Sequence, residues 1–83
     1  MPYIEEAKNL IGETLQISDR IDEFNADTLL LGHLPELDSM AVVSIITAME
    51  EQFGFMVDDD EISAEAFESI GSLASFISQK MSS

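Results

Sequence analysis

The sequence predicts an all-α fold, with three main helices and one short helix around a single core. Three observations predict it. Apolar residues recur at helical spacing in three separate stretches. Residues that cap or break helices stand between those stretches, among them Pro35, Asp38, Ser39, Gly54 and Ser69. The chain has 83 residues and is 46% hydrophobic, enough for one small domain over residues 1–83 and more than disorder would carry.

The first helix is expected over about residues 3–17. Ile4, Ala7, Ile11 and Leu15 form a stripe that Leu10 widens, while Glu5, Glu6, Asn9, Glu13 and Gln16 fall largely on the other side. Acids in the first turn suit the positive end of the helix dipole. Gly12 inside the helix costs up to ~1 kcal/mol against alanine unless close packing needs it. Residues 18–38 form a long connection. Its apolar anchors, Ile21, Phe24, Leu29, Leu30, Leu31, Leu34 and Leu37, predict that it packs over one end of a bundle, with a helical turn of its own.

The second helix is expected over about 39–53. Pro35 disfavours a helical conformation just before it, and Asp38 and Ser39 are both N-cap types. Val42, Ile45, Ile46, Met49 and Phe53 make the core stripe. Met40, Val43 and Thr47 form a flanking line, expected at the edge of the buried face and partly wet. A docking partner could grip that line; its plainer role is to widen the core stripe. Ser44, Glu50 and Glu51 add polar and anionic positions nearby. An Asp-Ser pair at such a place is ordinarily a cap, but here it also puts a serine hydroxyl at an exposed helix start.

Gly54 closes that helix, and Phe55, Met56 and Val57 are expected to plug the core. The acids Asp58-Asp59-Asp60-Glu61 should begin the short helix, with Ile62, Ala66 and Phe67 inward. The acid run lacks the spacing of a calcium loop. Ser69 should cap the last helix, whose inner stripe is Ile70, Leu73, Phe76, Ile77 and Met81, with Lys80 at the negative end of its dipole.

Composition narrows the function. Seventeen acids against Lys8, Arg20 and Lys80 give a net charge of −14. Such a chain repels nucleic-acid phosphates and anionic lipid, so its partners should carry basic patches. Without cysteine there is no disulfide, thiolate metal site or thiol nucleophile, so any thiol chemistry must come from a prosthetic group. No apolar run approaches the ~20 residues of a membrane span. The start of the chain lacks the basic and apolar regions of a signal peptide, which makes the cytoplasm the default expectation. His33 is the only histidine and reads as a surface or half-buried residue. A triad of Ser39, His33 and Asp38 can be written down, but there is no nucleophile elbow to support it. No nucleotide-binding fingerprint is present either. The chain reads as a substrate of enzymes, not as an enzyme, and no metal site is expected.

Leu31-Gly32, a short spacer, Leu37-Asp38-Ser39-Met40, and a helix ending Met49-Glu50-Glu51-Gln52-Phe53-Gly54 together resemble the acyl carrier protein family. Leu10 to Ile17 and Phe67 to Ile77 are similar to that family's first and closing segments, so the resemblance covers nearly the whole chain. It implies a right-handed bundle and a monomer. It also implies that Ser39, beside Asp38, carries 4′-phosphopantetheine, whose terminal thiol holds an acyl group as a thioester. The implied partners are a phosphopantetheinyl transferase, acyltransferases or acyl-ligases, and ketosynthases with basic docking patches. The phosphodiester of the arm would lie near a helix N-terminus, which favours an anion. Partner binding is expected at Met40, Val43, Thr47, Glu50 and Glu51. The sequence departs from the common family pattern at Ala41 and Ser44, which stand where an aspartate and a glutamate are usual, and in extra length around Leu34-Pro35-Glu36-Leu37. The missing acids at Ala41 and Ser44 set a discrete carrier for a dedicated fatty-acid, polyketide, peptide, lipid or exopolysaccharide pathway beside a housekeeping role in fatty acid synthesis. Two alternatives stay open: an aminoacyl or peptidyl carrier, and an unmodified acidic interaction module.

Overall fold

In the computed structural model, residues 3–58, 61 and 64–82 are described. Among them are three α-helices, α1 (Ile4–Leu15), α2 (Ser39–Phe53) and α3 (Ile70–Ser82), with 3-10 turns at Ile21–Glu23 and Ala64–Phe67. The fold is therefore all-α, as the spacing predicts. Helix α1 packs against both α2 and α3, and the turn Ala64–Phe67 packs on α3. The core is made of Ala7, Leu10 and Ile11 of α1, Ile45 and Met49 of α2, and Ile70, Leu73, Ala74 and Ile77 of α3. Leu30 and Leu37 enter it from the long connection, and Phe67 from the second turn.

Helix α1 is shorter than its apolar pattern suggests, because Gln16 takes a left-handed conformation (φ 60°) and ends it. Gly12 lies where the turn Ile21–Glu23 folds back. A Cβ there would stand 2.8 Å from Ile21 Cγ2 and 3.2 Å from the Ser18 backbone. The glycine thus gives up helix propensity to let the connection close over α1.

The connection is more ordered than a loop reading suggests. Leu30 N–H donates to Glu68 O and Leu31 N–H to Phe67 O, each at 2.9 Å. In return Ile70 N–H donates to Thr28 O (3.0 Å) and Gly71 N–H to Ala26 O (2.9 Å). These bonds satisfy two of the N–H groups that the start of α3 leaves without intrahelical partners. Ser69 satisfies a third, its Oγ accepting from Ser72 N–H at 3.1 Å, while Ser72 Oγ accepts from Ser69 N–H at 2.9 Å. The expected cap at Ser69 is present, in a reciprocal form.

Four packing expectations are corrected. The short helix begins at Ala64, not at the acid run: Glu61 N–H closes a turn onto Asp58 O, and Asp59, Asp60, Ile62 and Ser63 lie outside the described residues. Met56 is 76% exposed and does not plug the core, whereas Phe55 is half-buried against Phe53. Met81 is exposed near the end of α3, a full turn beyond the last buried residue, Ile77. Leu29 and Leu31 flank the buried Leu30 and are exposed, because an extended segment sends alternate side chains to opposite faces.

Candidate attachment site

The segment before α2 is built by turns. His33 and Leu34 both donate backbone N–H bonds to Leu30 O, and Leu37 N–H donates to Leu34 O. His33 itself is exposed. Leu37 is buried, which fixes the chain one residue before the cap. Asp38 then takes an extended conformation, and its Oδ1 accepts from Ala41 N–H at 2.8 Å. Asp38 is the N-cap, and Ser39 is the first helical residue.

That division of labour decides what Ser39 can do. Asp38 supplies the cap, so the Ser39 hydroxyl is not consumed by it. Ser39 is exposed, and no side-chain hydrogen bond among the described residues holds its hydroxyl. The N–H groups of Ser39 and Met40 precede the first intrahelical bond, which Val42 N–H makes to Asp38 O. No acid lies in the first turn of α2. A phosphodiester on Ser39 would meet outward N–H donors and the positive end of the dipole, with Asp38 the nearest anion in sequence. The residues present fit the phosphopantetheine group.

Of the five docking residues expected from sequence, four are exposed together on α2. Met40 is 77% and Val43 62% exposed, so this line faces solvent fully and is not the half-buried edge that was expected. Thr47 is exposed, and its hydroxyl donates back to Val43 O at 3.1 Å. Glu51 is exposed. Glu50 is different: it is half-buried, and its Oε2 accepts from Val57 N–H at 2.8 Å. That carboxylate holds the segment after Gly54 onto α2. The hydrophobic spacing cannot separate a docking acid from a bracing one.

Sequence reasoning missed a further pair beside the site. The Arg20 guanidinium bonds directly to Glu36 Oε2, bridging the two ends of the connection. The signal was present as a lone cation in an acidic loop, but nothing in the spacing names its partner. The backbone amide of Glu36 itself, and then Arg20, hold the Glu36 carboxyl below its ordinary value of 4.5. Lys80 and then the Asp58 N–H do the same for Glu61.

A small acidic helical bundle that presents a free serine at a helix start is the architecture of a carrier protein. Comparison with known proteins agrees: residues 5–77 match the family described as a phosphopantetheine attachment site, and the chain belongs to that acyl carrier family. It is 32% identical over 77 residues to an acyl carrier protein of Sulfurovum sp. (strain NBC37-1), covering 93% of this chain and 96% of that one. Its fold is similar to the solution NMR structure of a holo acyl carrier protein from Nitrosomonas europaea, with 52% identity, a TM-score of 0.92 and full coverage of both chains. Members of this family are carriers and not catalysts, and the group they carry is phosphopantetheine. Among the described residues, no helix is long and apolar enough to cross a membrane.

Proposed function

We propose that Ser39 is the residue that takes the 4′-phosphopantetheine arm, and that the chain serves a dedicated fatty-acid, polyketide or lipid-related pathway. The observation that carries the first part is the exposed, uncommitted hydroxyl of Ser39 at the first position of α2, with Asp38 doing the capping. The arm supplies the thiol that a chain without cysteine lacks, and that thiol is the place for an acyl cargo. The protein's own residues place the serine beside an exposed apolar line on α2, Met40, Val43 and Thr47. After incubation with coenzyme A and a broad phosphopantetheinyl transferase, fragment mass spectrometry should place the added mass on Ser39. Mass on another serine would overturn the assignment.

The second part rests on the first two turns of α2. Ala41 is half-buried and Ser44 is exposed, so neither gives a basic partner a carboxylate near the serine. Exposed charge pairs are individually weak, at ~0.2–1 kcal/mol, but they set local register at a docking face. Long-range attraction to basic enzymes survives through the net charge of −14. A generic ketosynthase should therefore turn over the loaded protein slowly, and Ala41→Asp with Ser44→Glu should raise that rate several-fold at matched salt. Equal rates for both forms, comparable to a housekeeping carrier, would remove the case for a dedicated pathway.

A further inference from the structure

Three cations serve this chain, and two of them, Lys8 and Lys80, pair near helix ends with Glu5 and Glu61. The third, Arg20, is placed where it closes the long connection on itself. Arg20 stands at the start of the turn Ile21–Glu23, which Gly12 seats against α1. Its partner Glu36 lies in the segment Leu34–Leu37, between exposed Pro35 and buried Leu37, three residues before Ser39. Both side chains are about one-third to two-fifths exposed (42% for Arg20, 34% for Glu36). The other carboxylate oxygen of Glu36, Oε1, is shut off from solvent and, among the described residues, meets no donor in hydrogen-bond geometry. Among the described residues, the guanidinium is the one charge that compensates it.

We propose that Arg20 and Glu36 are positioning residues for modification of Ser39. The pair straps the segment Leu34–Leu37 to the turn Ile21–Glu23 that packs on α1, and that segment delivers Asp38 to its cap and Ser39 to the helix start. This inference rests on Ser39 being the attachment residue. Loss of the strap loosens the approach to the serine without touching the exposed line Met40, Val43 and Thr47. A transferase then still docks but finds the hydroxyl in place less often. The cost is also lopsided: removing Arg20 alone leaves a carboxylate with a sealed oxygen and no counter-charge, whereas removing both charges does not.

The test is the kinetics of arm transfer from coenzyme A by a broad phosphopantetheinyl transferase, together with amide hydrogen exchange of the unmodified protein. Arg20→Gln should lower kcat by up to about fivefold with KM unchanged. The double variant Arg20→Gln with Glu36→Gln should recover part of that loss, and Arg20→Lys should retain most of the wild-type rate. Exchange at the amides of Leu37, Ala41 and Val42, which donate to Leu34 O, Asp38 Oδ1 and Asp38 O, should quicken in Arg20→Gln, while amides in the centre of α3 stay as protected as in wild type. A wild-type rate and unchanged exchange in Arg20→Gln would overturn the proposal. So would a rise in KM in Arg20→Gln with Glu36→Gln unaffected, which would make Arg20 a direct contact of the transferase. A wild-type protein that takes no arm would instead overturn the reading of Ser39, and the exchange measurement would still decide the strap.

Discussion

Asp38 and Ser39 are adjacent, both polar and both good caps, yet they have different work. Asp38 accepts from Ala41 N–H, so Asp38→Ala should cost ~0.5–2 kcal/mol of stability by urea titration. Ser39→Ala removes no bond seen in the structure and should leave stability within ~0.5 kcal/mol of wild type. The sequence left the capping role open between the two, since residue preference ranks them almost equally. Backbone conformation at Asp38 resolves it. Glu36 and Glu61 make a second prediction at this scale. Their carboxyls are lowered from 4.5 in the folded state, so their contribution to stability is present above that value and is lost as pH falls through the lower folded value. Side-chain carbon shifts followed by NMR should show both titrating below the ordinary glutamate range. Arg20→Gln should return Glu36 only part of the way, because its own amide is the larger cause.

At the scale of elements, the three long helices were legible because each buries a stripe with a period that only a helix satisfies. The connection was legible only as a set of anchors. Its pairing with the start of α3 runs through backbone atoms of Ala26, Thr28, Leu30 and Leu31, and backbone pairing leaves little trace in side-chain spacing. The glycines mark the places where that packing is closest. A Cβ at Gly71 would stand 2.8 Å from the backbone oxygen of Ala26, and one at Gly12 would meet the flexible side chain of Ile21 at the same distance. Alanine at either site gains up to ~1 kcal/mol of helix propensity but overpacks by ~1–3 kcal/mol. Gly71→Ala should be the worse of the two, because a carbonyl locked into the α3 start cannot rotate away. Urea denaturation of both variants tests the order; a more stable Gly71→Ala would contradict the packing described. Glu50 was read from sequence as a docking acid. Its bond to Val57 N–H makes it a brace for the segment that leads to Phe55, which stacks on Phe53 with ring centroids 5.9 Å apart.

At the scale of the whole molecule, charge and core oppose one another. All three cations are already paired with glutamates, so most of the seventeen acids have no cation left to pair with. Screening should relieve that repulsion more than it weakens three partly exposed pairs. The melting midpoint should rise with added salt, and a midpoint that stays flat or falls would count against it. On the proposed reading, the same surplus of acid would draw basic enzymes from a distance, while exposed Met40 and Val43 would offer an apolar contact at short range.

The central claim is that the fold exists to present one uncommitted hydroxyl at the start of α2. Intact-mass analysis of wild type and Ser39→Ala, each incubated with coenzyme A and a broad phosphopantetheinyl transferase, tests it most directly. Wild type should gain the mass of one phosphopantetheine, and Ser39→Ala should gain none while melting as wild type does. The same gain in a folded Ser39→Ala would contradict the account.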